Sequence, residues 1–195
     1  MHLAFLTIKI KPGDIVITND PELVAGHKPD VGIVSPIFKQ DSCIGFIGTI
    51  SHVPDIGGVL WGAGARDSYE EGLLIPPTLL YDKGKPNETL FNLLKRNVRA
   101  PMQTIGDINA QIAANDQGRT GVLNLLEELN LNNLELLSEK IISSTENAMR
   151  KAISKAPDGK YNYAYEADGD GIDEPIKIDC TVTIDKDEIT VDYEG

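Results

Sequence analysis

Cysteine is scarce in this chain of 195 residues: Cys43 and Cys180 are its two cysteines, and they lie far apart. Neither has a partner at metal-ligand spacing, so a structural zinc module or a disulfide-stapled scaffold is excluded. A secretory signal pattern is also lacking, and no apolar run approaches the ~20 residues of a membrane span. The sequence therefore predicts a cytoplasmic protein with no membrane partner.

Basic residues are too few to balance the acidic ones, since 18 Lys and Arg stand against 30 Asp and Glu and give a net charge of −12. Such a surface repels a phosphate backbone, and without a basic stripe we expect no nucleic-acid partner. The acidic stretch 168–174 looks superficially like a calcium loop. It lacks the acidic twelfth position of an EF-hand, so we interpret it as a solvated loop or strand edge.

The hydrophobic pattern predicts an α+β fold, with mixed or antiparallel sheet segments at both ends and a central helical region. Residues 1–84 form the β-rich part, residues 85–157 the helical part and residues 158–195 a β-hairpin part. Strands are expected at 14–18, 31–38, 43–50, 161–167, 176–184 and 189–193, and an extended segment at 69–77. Helices are expected from near Asn87, from Pro101, and from Asn132 or Asn133 to Pro157, with apolar stripes that face the core.

Two of the three histidines lie in a repeated His-x-x-Asp pattern, from His27 to Asp30 and from His52 to Asp55. The polar stretch 39–42 predicts a hairpin that brings Asp30 and His52 to the same end of two strands. Imidazole nitrogens and a carboxylate suit zinc, manganese or iron, and three protein ligands leave positions open for water or substrate. The alternative is a surface pair in which each histidine only hydrogen-bonds its aspartate.

Several motifs follow one another in a fixed order along the chain. They are Gly13-Asp-Ile-Val-Ile-Thr-Asn-Asp-Pro21, Gly26-His-Lys-Pro-Asp-Val31, Ser51-His-Val-Pro-Asp-Ile-Gly-Gly58, Tyr69-Glu-Glu-Gly-Leu-Leu-Ile-Pro-Pro77, Asn97-Val-Arg-Ala-Pro101 and Gly106-Asp-Ile-Asn-Ala-Gln-Ile-Ala-Ala-Asn115. Together they resemble the hydantoinase B family, whose relatives include the oxoprolinase B part and a large subunit of acetone-type carboxylases. The resemblance predicts that residues 1–195 are a single segment of a hydantoinase B-type domain within a longer protein.

The resemblance implies site residues for this chain. The metal ligands would be His27, Asp30 and His52, and the candidate catalytic residues are Asp55, which would orient an imidazole, and Glu71. A wider set of polar residues is expected to reach the substrate or support the cavity: Asn19, Asp20, Arg66, Glu70, Asp107, Gln111 and Asn115. For the last five, and for Glu71, a salt-bridge, capping or surface role is the alternative.

The resemblance also implies ATP-dependent chemistry divided between subunits. A hydantoinase A-type partner would bind ATP and activate a small cyclic amide or carbonyl compound by phosphorylation. The B-type part would then open the ring or carboxylate the compound at its divalent metal, which is manganese, zinc or iron. This chain has no phosphate-binding loop, so ATP would enter only through the partner. Both ends look cut, and a separate chain that supplies the C-terminal part is a further expected partner. The alternative is a non-catalytic remnant or interaction subunit that retains the fold.

Overall fold

A computed structural model describes residues 9–59, 64–169 and 175–194 of the chain. The chain divides into two compact units, Met1–Leu134 and Glu135–Gly195. Their helices and antiparallel sheets confirm the predicted α+β class. The boundary between the units lies inside the predicted helical part 85–157, so that two helices belong to the first unit and one to the second.

The first unit is built on an antiparallel sheet of five strands. These are β1 Ile15–Thr18, β2 Asp30–Lys39, β3 Ser42–His52, β4 Thr78–Asp82 and β5 Lys85–Pro86, in the spatial order β3-β2-β1-β4-β5. The strands predicted at 14–18, 31–38 and 43–50 are confirmed, and so is the hairpin between the last two. The extended segment 69–77 is not a strand. Pro76 and Pro77 have no N–H for a ladder, and β4 begins directly after them.

Two helices complete the first unit, α1 Glu88–Asn97 and α2 Pro101–Glu128. The Asn87 side chain accepts a hydrogen bond from the backbone N–H of Leu90 and caps α1, while Pro101 fits the first turn of α2. Helix α2 packs against β2 and β3. The core between helices and sheet contains Ile17, Val31, Ile33, Val53, Ile56, Ile75, Leu80, Leu90, Phe91, Leu94 and Ile108. This core fixes the β2–β3 hairpin that carries the predicted metal ligands.

The second unit consists of helix α3 Glu135–Ile153 and the strands β6 Gly159–Ala167, β7 Ile176–Asp185 and β8 Glu188–Glu194. The strands form an antiparallel sheet in the order β6-β7-β8, so the part predicted as a hairpin is a three-stranded sheet. Helix α3 begins after the expected Asn132 or Asn133, and the expectation that its stripe faces a core is not met, because none of its residues is buried. Within the acidic stretch 168–174, residues 170–174 lie outside the described residues. No described helix is both long and apolar enough to cross a membrane.

Candidate metal centre

The β2–β3 hairpin brings two of the predicted ligands side by side. Asp30 opens β2 and pairs directly with His52, the last residue of β3. Side chains of directly opposed residues point to the same face of a sheet, so the two groups are neighbours. His27 lies one turn earlier in the chain, where its carbonyl accepts a hydrogen bond from the backbone N–H of Asp30 at 3.3 Å. The backbone alone therefore places all three residues at one end of the hairpin.

The carboxylate of Asp30 lies between two imidazoles. Its Oδ2 is 2.8 Å from Nε2 of His27, and its Oδ1 is 3.3 Å from Nδ1 of His52. The three donor atoms all lie within 4.8 Å of one another. The His27 and His52 side chains are 41% and 62% exposed, so water or a small molecule has access to the donors. Asp30 is the more enclosed member, with 21% of its side chain exposed.

This donor set fits a divalent cation. At metal–ligand bonds of about 2.1 Å, neighbouring ligand atoms stand roughly 3.0–3.4 Å apart in octahedral or tetrahedral geometry. The separations of 2.8 Å from Oδ2 of Asp30 to His27 and 3.3 Å from its Oδ1 to His52 are close to that range, and the donor atoms all lie within 4.8 Å of one another. Two imidazoles and one carboxylate suit zinc, manganese and iron and leave coordination positions open.

A buried lysine ties a second loop to this site. Lys28 is only 2% exposed, and its ammonium donates hydrogen bonds to the carbonyl oxygens of Ser68 and of Gly72, the latter at 3.1 Å. The ammonium also lies 5.8 Å from the centre of the Tyr69 ring. The backbone N–H of Lys28 donates to the carboxylate of Glu71 at 3.0 Å. The predicted catalytic residue Glu71 is therefore anchored one position from His27. Sequence reasoning did not single out Lys28, although it lies inside the His-x-x-Asp pattern.

Asn19 holds the same turn through three hydrogen bonds of its side chain. Its amide nitrogen donates to the carbonyls of Lys28 at 2.8 Å and Leu73 at 2.9 Å. Its side-chain oxygen accepts from the backbone N–H of Ile75 at 2.6 Å. Asn19 is fully buried, so each of these bonds also satisfies a backbone group that water cannot reach. The end of β1, the ligand-bearing turn and residues 73–75 are thereby held together.

Asp55 occupies a different place from the one expected. Its carboxylate accepts hydrogen bonds from the backbone N–H groups of Gly57 at 2.8 Å, Ala100 at 3.3 Å and Arg99, and it pairs with the Arg99 guanidinium at 3.1 Å. Burial on its own raises the pKa of Asp55, but these N–H groups and the Arg99 charge outweigh it and hold that pKa below its ordinary value. Among the described hydrogen bonds of Asp55, none reaches an imidazole. The carboxylate joins the loop after β3 to the start of α2.

Four of the remaining candidates have partners of their own. Arg66 and Glu70 form a pair at 2.5 Å, and the hydrogen bond from Arg66 lowers the pKa of Glu70, which matches the salt-bridge alternative. Asn115 donates to the carbonyl of Ile33 at 3.0 Å, and the amide of Gln111 faces the carbonyl of Val31. Helix α2 carries both residues and packs over the face of β2 that buries Val31 and Ile33, opposite to the face of Asp30. Gln111 and Asn115 therefore bind strand backbone instead of lining the candidate metal centre.

The chain belongs to the family described as Hydantoinase B/oxoprolinase, whose sequence profile matches residues 2–195. This match confirms the resemblance seen in the motifs. Among curated proteins, the chain is 37% identical over 192 residues to a Pseudomonas sp. strain NS671 protein that is provisionally named as the B component of a D-/L-hydantoinase. It is 30% identical over 196 residues to the beta component of the caprolactamase of Pseudomonas jessenii.

The fold is also found in a solved relative. The crystal structure of an ATP-dependent caprolactamase from Pseudomonas jessenii superposes with a TM-score of 0.89 at 29% sequence identity, over 98% of this chain and 34% of that chain. The two curated relatives are matched over 94% and 98% of this chain but over only 32% and 34% of their own lengths. The chain thus spans about a third of the length of the relatives it matches.

Proposed function

We propose that this chain is the metal-binding part of an ATP-dependent enzyme that opens small cyclic amides. The observation that carries the proposal is the convergence of His27, Asp30 and His52 at one end of the β2–β3 hairpin. The family supports the reaction class, because the hydantoinase and caprolactamase relatives are both named for cyclic amides. The alternative family reaction, carboxylation of an activated carbonyl compound, would use the same donors.

The residues of the chain have distinct tasks in this proposal. His27, Asp30 and His52 would hold manganese, zinc or iron, which supplies Lewis acidity or an activated water when it is bound. Asp30 would contribute the negative charge, and its two oxygens lie next to one imidazole each. Lys28 and Asn19 hold the turn that carries His27. Glu71, fixed on the Lys28 N–H, is the candidate proton acceptor or donor next to the ligands.

The proposal includes a partner that binds ATP. The chain contains no Gly-x-x-x-x-Gly-Lys-Ser/Thr loop, whereas the solved relative is named as an ATP-dependent enzyme. We infer that a hydantoinase A-type partner holds the nucleotide and activates the amide, which this chain then receives at its metal.

A second candidate function is a non-catalytic interaction subunit that retains the fold. One observation favours it: 62% of the His52 side chain is exposed. A site whose ligands are this exposed to solvent would bind metal weakly. The two candidates therefore differ in the metal affinity that they predict for the 195-residue chain.

The deciding experiment is metal analysis of the purified chain by elemental mass spectrometry. The wild type, after incubation with manganese, zinc and iron and gel filtration, is expected to retain close to one ion per chain. His27→Ala and His52→Ala are expected to lose it, because each removes one of three ligands. The matched control is His2→Ala, which removes the third histidine of the sequence and should leave metal content unchanged. A wild type that stays metal-free would refute the metal centre.

A positive result justifies an activity assay on the assembled enzyme. The chain is mixed with an A-type partner, ATP and a panel of cyclic amides, and ring opening is followed together with phosphate release. Release of phosphate that depends on the amide, on both proteins and on His52 is the expected outcome. Product that contains fixed bicarbonate would assign carboxylation instead, and metal binding without either reaction would contradict the catalytic role proposed for this chain.

A further inference from the structure

The sheet of the second unit has one apolar face. Strand register places Tyr163 opposite Cys180 and Cys180 opposite Tyr193, and alternate residues on each strand share that face. We call this surface the tyrosine face. It consists of Tyr161, Tyr163, Tyr165, Ile176, Ile178, Cys180, Val182, Ile184, Ile189, Val191 and Tyr193. These described residues form a surface without a charged side chain among them.

The opposite face of the same sheet is polar. Asn162 donates hydrogen bonds to Asp179 at 2.6 Å and to Thr181 at 3.0 Å, and Thr183 pairs with Thr190. An antiparallel sheet with one apolar and one polar face is the pattern of a sheet that buries one face and exposes the other to water. The residue pattern therefore predicts that the tyrosine face is covered in the functional protein.

The described residues leave the tyrosine face open. Tyr163 is 72% exposed, Tyr193 70% and Ile176 59%. The ion pairs between α3 and the sheet lie at the β7–β8 turn, where Arg150 meets Asp187 at 3.5 Å and Glu188 at 3.6 Å. The central residues Cys180, Val182 and Ile184 are half-buried, whereas the outer residues of the face are more exposed.

The tyrosine face is large enough to form an interface. Its three strands have 9, 10 and 7 residues, and at about 4.8 Å between strands and about 3.3 Å per residue they give a patch of roughly 400 Å² in projection. The accessible surface of its exposed side chains is larger than this projection, and stable interfaces bury about 800 Å² of accessible surface on each partner. A dimer through this face is therefore an outcome that the experiment must distinguish.

The length of the relatives suggests what covers the tyrosine face. The match covers 94% of this chain but 32% of the hydantoinase relative, and the superposition covers 34% of the solved caprolactamase chain. The same fold therefore belongs, in these relatives, to polypeptides about three times as long. We propose that the tyrosine face is the docking surface for the part of a hydantoinase B-type polypeptide that lies outside the matched stretch. That part would present a complementary apolar surface.

The test uses adjacent residues on opposite faces of β8. Val191 lies on the tyrosine face and Thr190 on the polar face, both β-branched and both exposed. The probe is the portion of the Pseudomonas sp. strain NS671 protein outside its 192-residue match, tagged and co-expressed with the chain. It is first validated by its assembly with its own matched portion. Co-purification and an apparent Kd from biolayer interferometry are then measured for wild type, Val191→Lys, Val191→Thr and Thr190→Lys.

The expected result is co-purification of the wild type, a Kd at least tenfold weaker for Val191→Lys, a smaller loss for Val191→Thr, and no change for Thr190→Lys. Val191→Thr keeps the shape and the β-branch, so it remains informative should Val191→Lys not fold. Absence of binding by the wild type, or equal binding by all variants, would overturn the proposal. So would a dimer of the chain alone, found by light scattering, that Val191→Lys dissociates. Metal content measured on the same variants separates failure here from failure of the proposed metal centre.

Discussion

At the level of single residues, Asp30 is the member of the donor set whose charge cannot be replaced. It faces Nε2 of His27 at 2.8 Å and Nδ1 of His52 at 3.3 Å, so one carboxylate aligns both rings. The side-chain amide of asparagine has the same shape as this carboxylate, but it carries no negative charge and has one acceptor oxygen instead of two. The charge and the alignment are both needed to hold a divalent cation.

We therefore expect Asp30→Asn to weaken metal affinity by at least about tenfold, a lower bound taken from the effect of losing an orienting carboxylate. Competition with a chromogenic chelator measures the change. Asp116→Asn, which alters an exposed carboxylate paired with Arg119 on α2, is the matched control and should bind metal as the wild type does. Unchanged affinity in Asp30→Asn would remove Asp30 from the ligand set.

Lys28 gives a second prediction at this scale. Its buried ammonium is satisfied by the Ser68 and Gly72 carbonyls, and substitution by methionine would leave both acceptors without this donor. Lys28→Met is expected to lower the free energy of unfolding by about 1–3 kcal/mol, the range for buried acceptors that lose their partner. Urea denaturation measures it, and Lys95→Met at an exposed site of α1 should change stability by less than about 0.5 kcal/mol. Equal effects of the two substitutions would show that the hydrogen bonds of the Lys28 ammonium do not stabilise the fold.

At the level of secondary-structure elements, Asp55 links β3 to α2 by accepting N–H bonds from Gly57, Arg99 and Ala100. Its pKa lies below the unfolded value of about 3.8, so the charged form stabilises the native state. This stabilisation is complete above the unfolded pKa and is lost as the pH falls through the folded pKa. Replacement by asparagine turns an acceptor oxygen into an NH₂ group that faces other donors.

We expect Asp55→Asn to reduce stability by about 2–3 kcal/mol at neutral pH, since hydrogen bonds to a charged group are the stronger kind. The difference from wild type should shrink as the pH is lowered from about 5 towards 3, because the unfolded wild-type chain binds a proton at Asp55 in this range more readily than the folded protein does. Urea unfolding at a series of pH values gives the measurement. A difference that stays constant over this range would show that the Asp55 charge does not stabilise the junction.

Gly58, in the loop after β3, gives a prediction about how closely this loop approaches the backbone of Glu70. Gly58 has a φ of +59°, and a Cβ at this position would collide with the carbonyl oxygen of Glu70. Gly58→Ala is expected to cost at least about 2 kcal/mol through the clash and the left-handed backbone. Gly106→Ala on α2, where a Cβ meets nothing within 4 Å, should instead gain about 0.5–1 kcal/mol. Thermal unfolding should show shifts of opposite sign, and a stabilised Gly58→Ala would mean that the two loops do not approach each other.

The sequence predicted those elements whose signal is local. The β2–β3 hairpin followed from β-branched runs around the polar stretch 39–42, and its pairing placed Asp30 beside His52. Strands β4 and β5 were missed although Lys83 and Gly84, with φ values of 49° and 80°, form the kind of turn that a short hairpin needs. The position of Asp55 could not be foreseen, because its partner Arg99 is 44 residues away in the sequence. Spacing within a motif does not reveal such a contact.

The periodicity of hydrophobic residues in the sequence also did not show what covers the apolar stripe of a helix. The pattern of α3 correctly predicted a helix, yet none of its residues is buried, and Ile141 is 57% exposed. A hydrophobic stripe shows which side of a helix avoids water, but the covering surface can come from residues far away or from another polypeptide. The tyrosine face of the second sheet has the same property. The proposed docking of further polypeptide would account for both features, since the relatives are about three times as long as this chain.

At the level of the whole molecule, the two units differ in how much apolar surface they bury. The first contains fully buried side chains such as Ile17, Ile33 and Leu80, whereas α3 has no buried residue and the tyrosine face is open. Local opening requires less free energy where fewer apolar contacts are broken. The backbone amides of β6–β8 are therefore expected to exchange with solvent by a lower-energy opening than those of β1, β2 and α2.

Hydrogen–deuterium exchange with mass spectrometry tests this difference directly. In the isolated chain, peptides from β6–β8 should exchange at least about tenfold faster than peptides from β2, which corresponds to an opening free energy lower by about 1.4 kcal/mol. Val191→Lys should leave the exchange of β2 unchanged, because β2 belongs to the other unit. Addition of the docking probe should slow exchange in β6–β8 selectively, since its binding would cover the tyrosine face. Equal protection of both sheets in the isolated chain would mean that the second unit is stable without a covering surface, and the reason for proposing one would disappear.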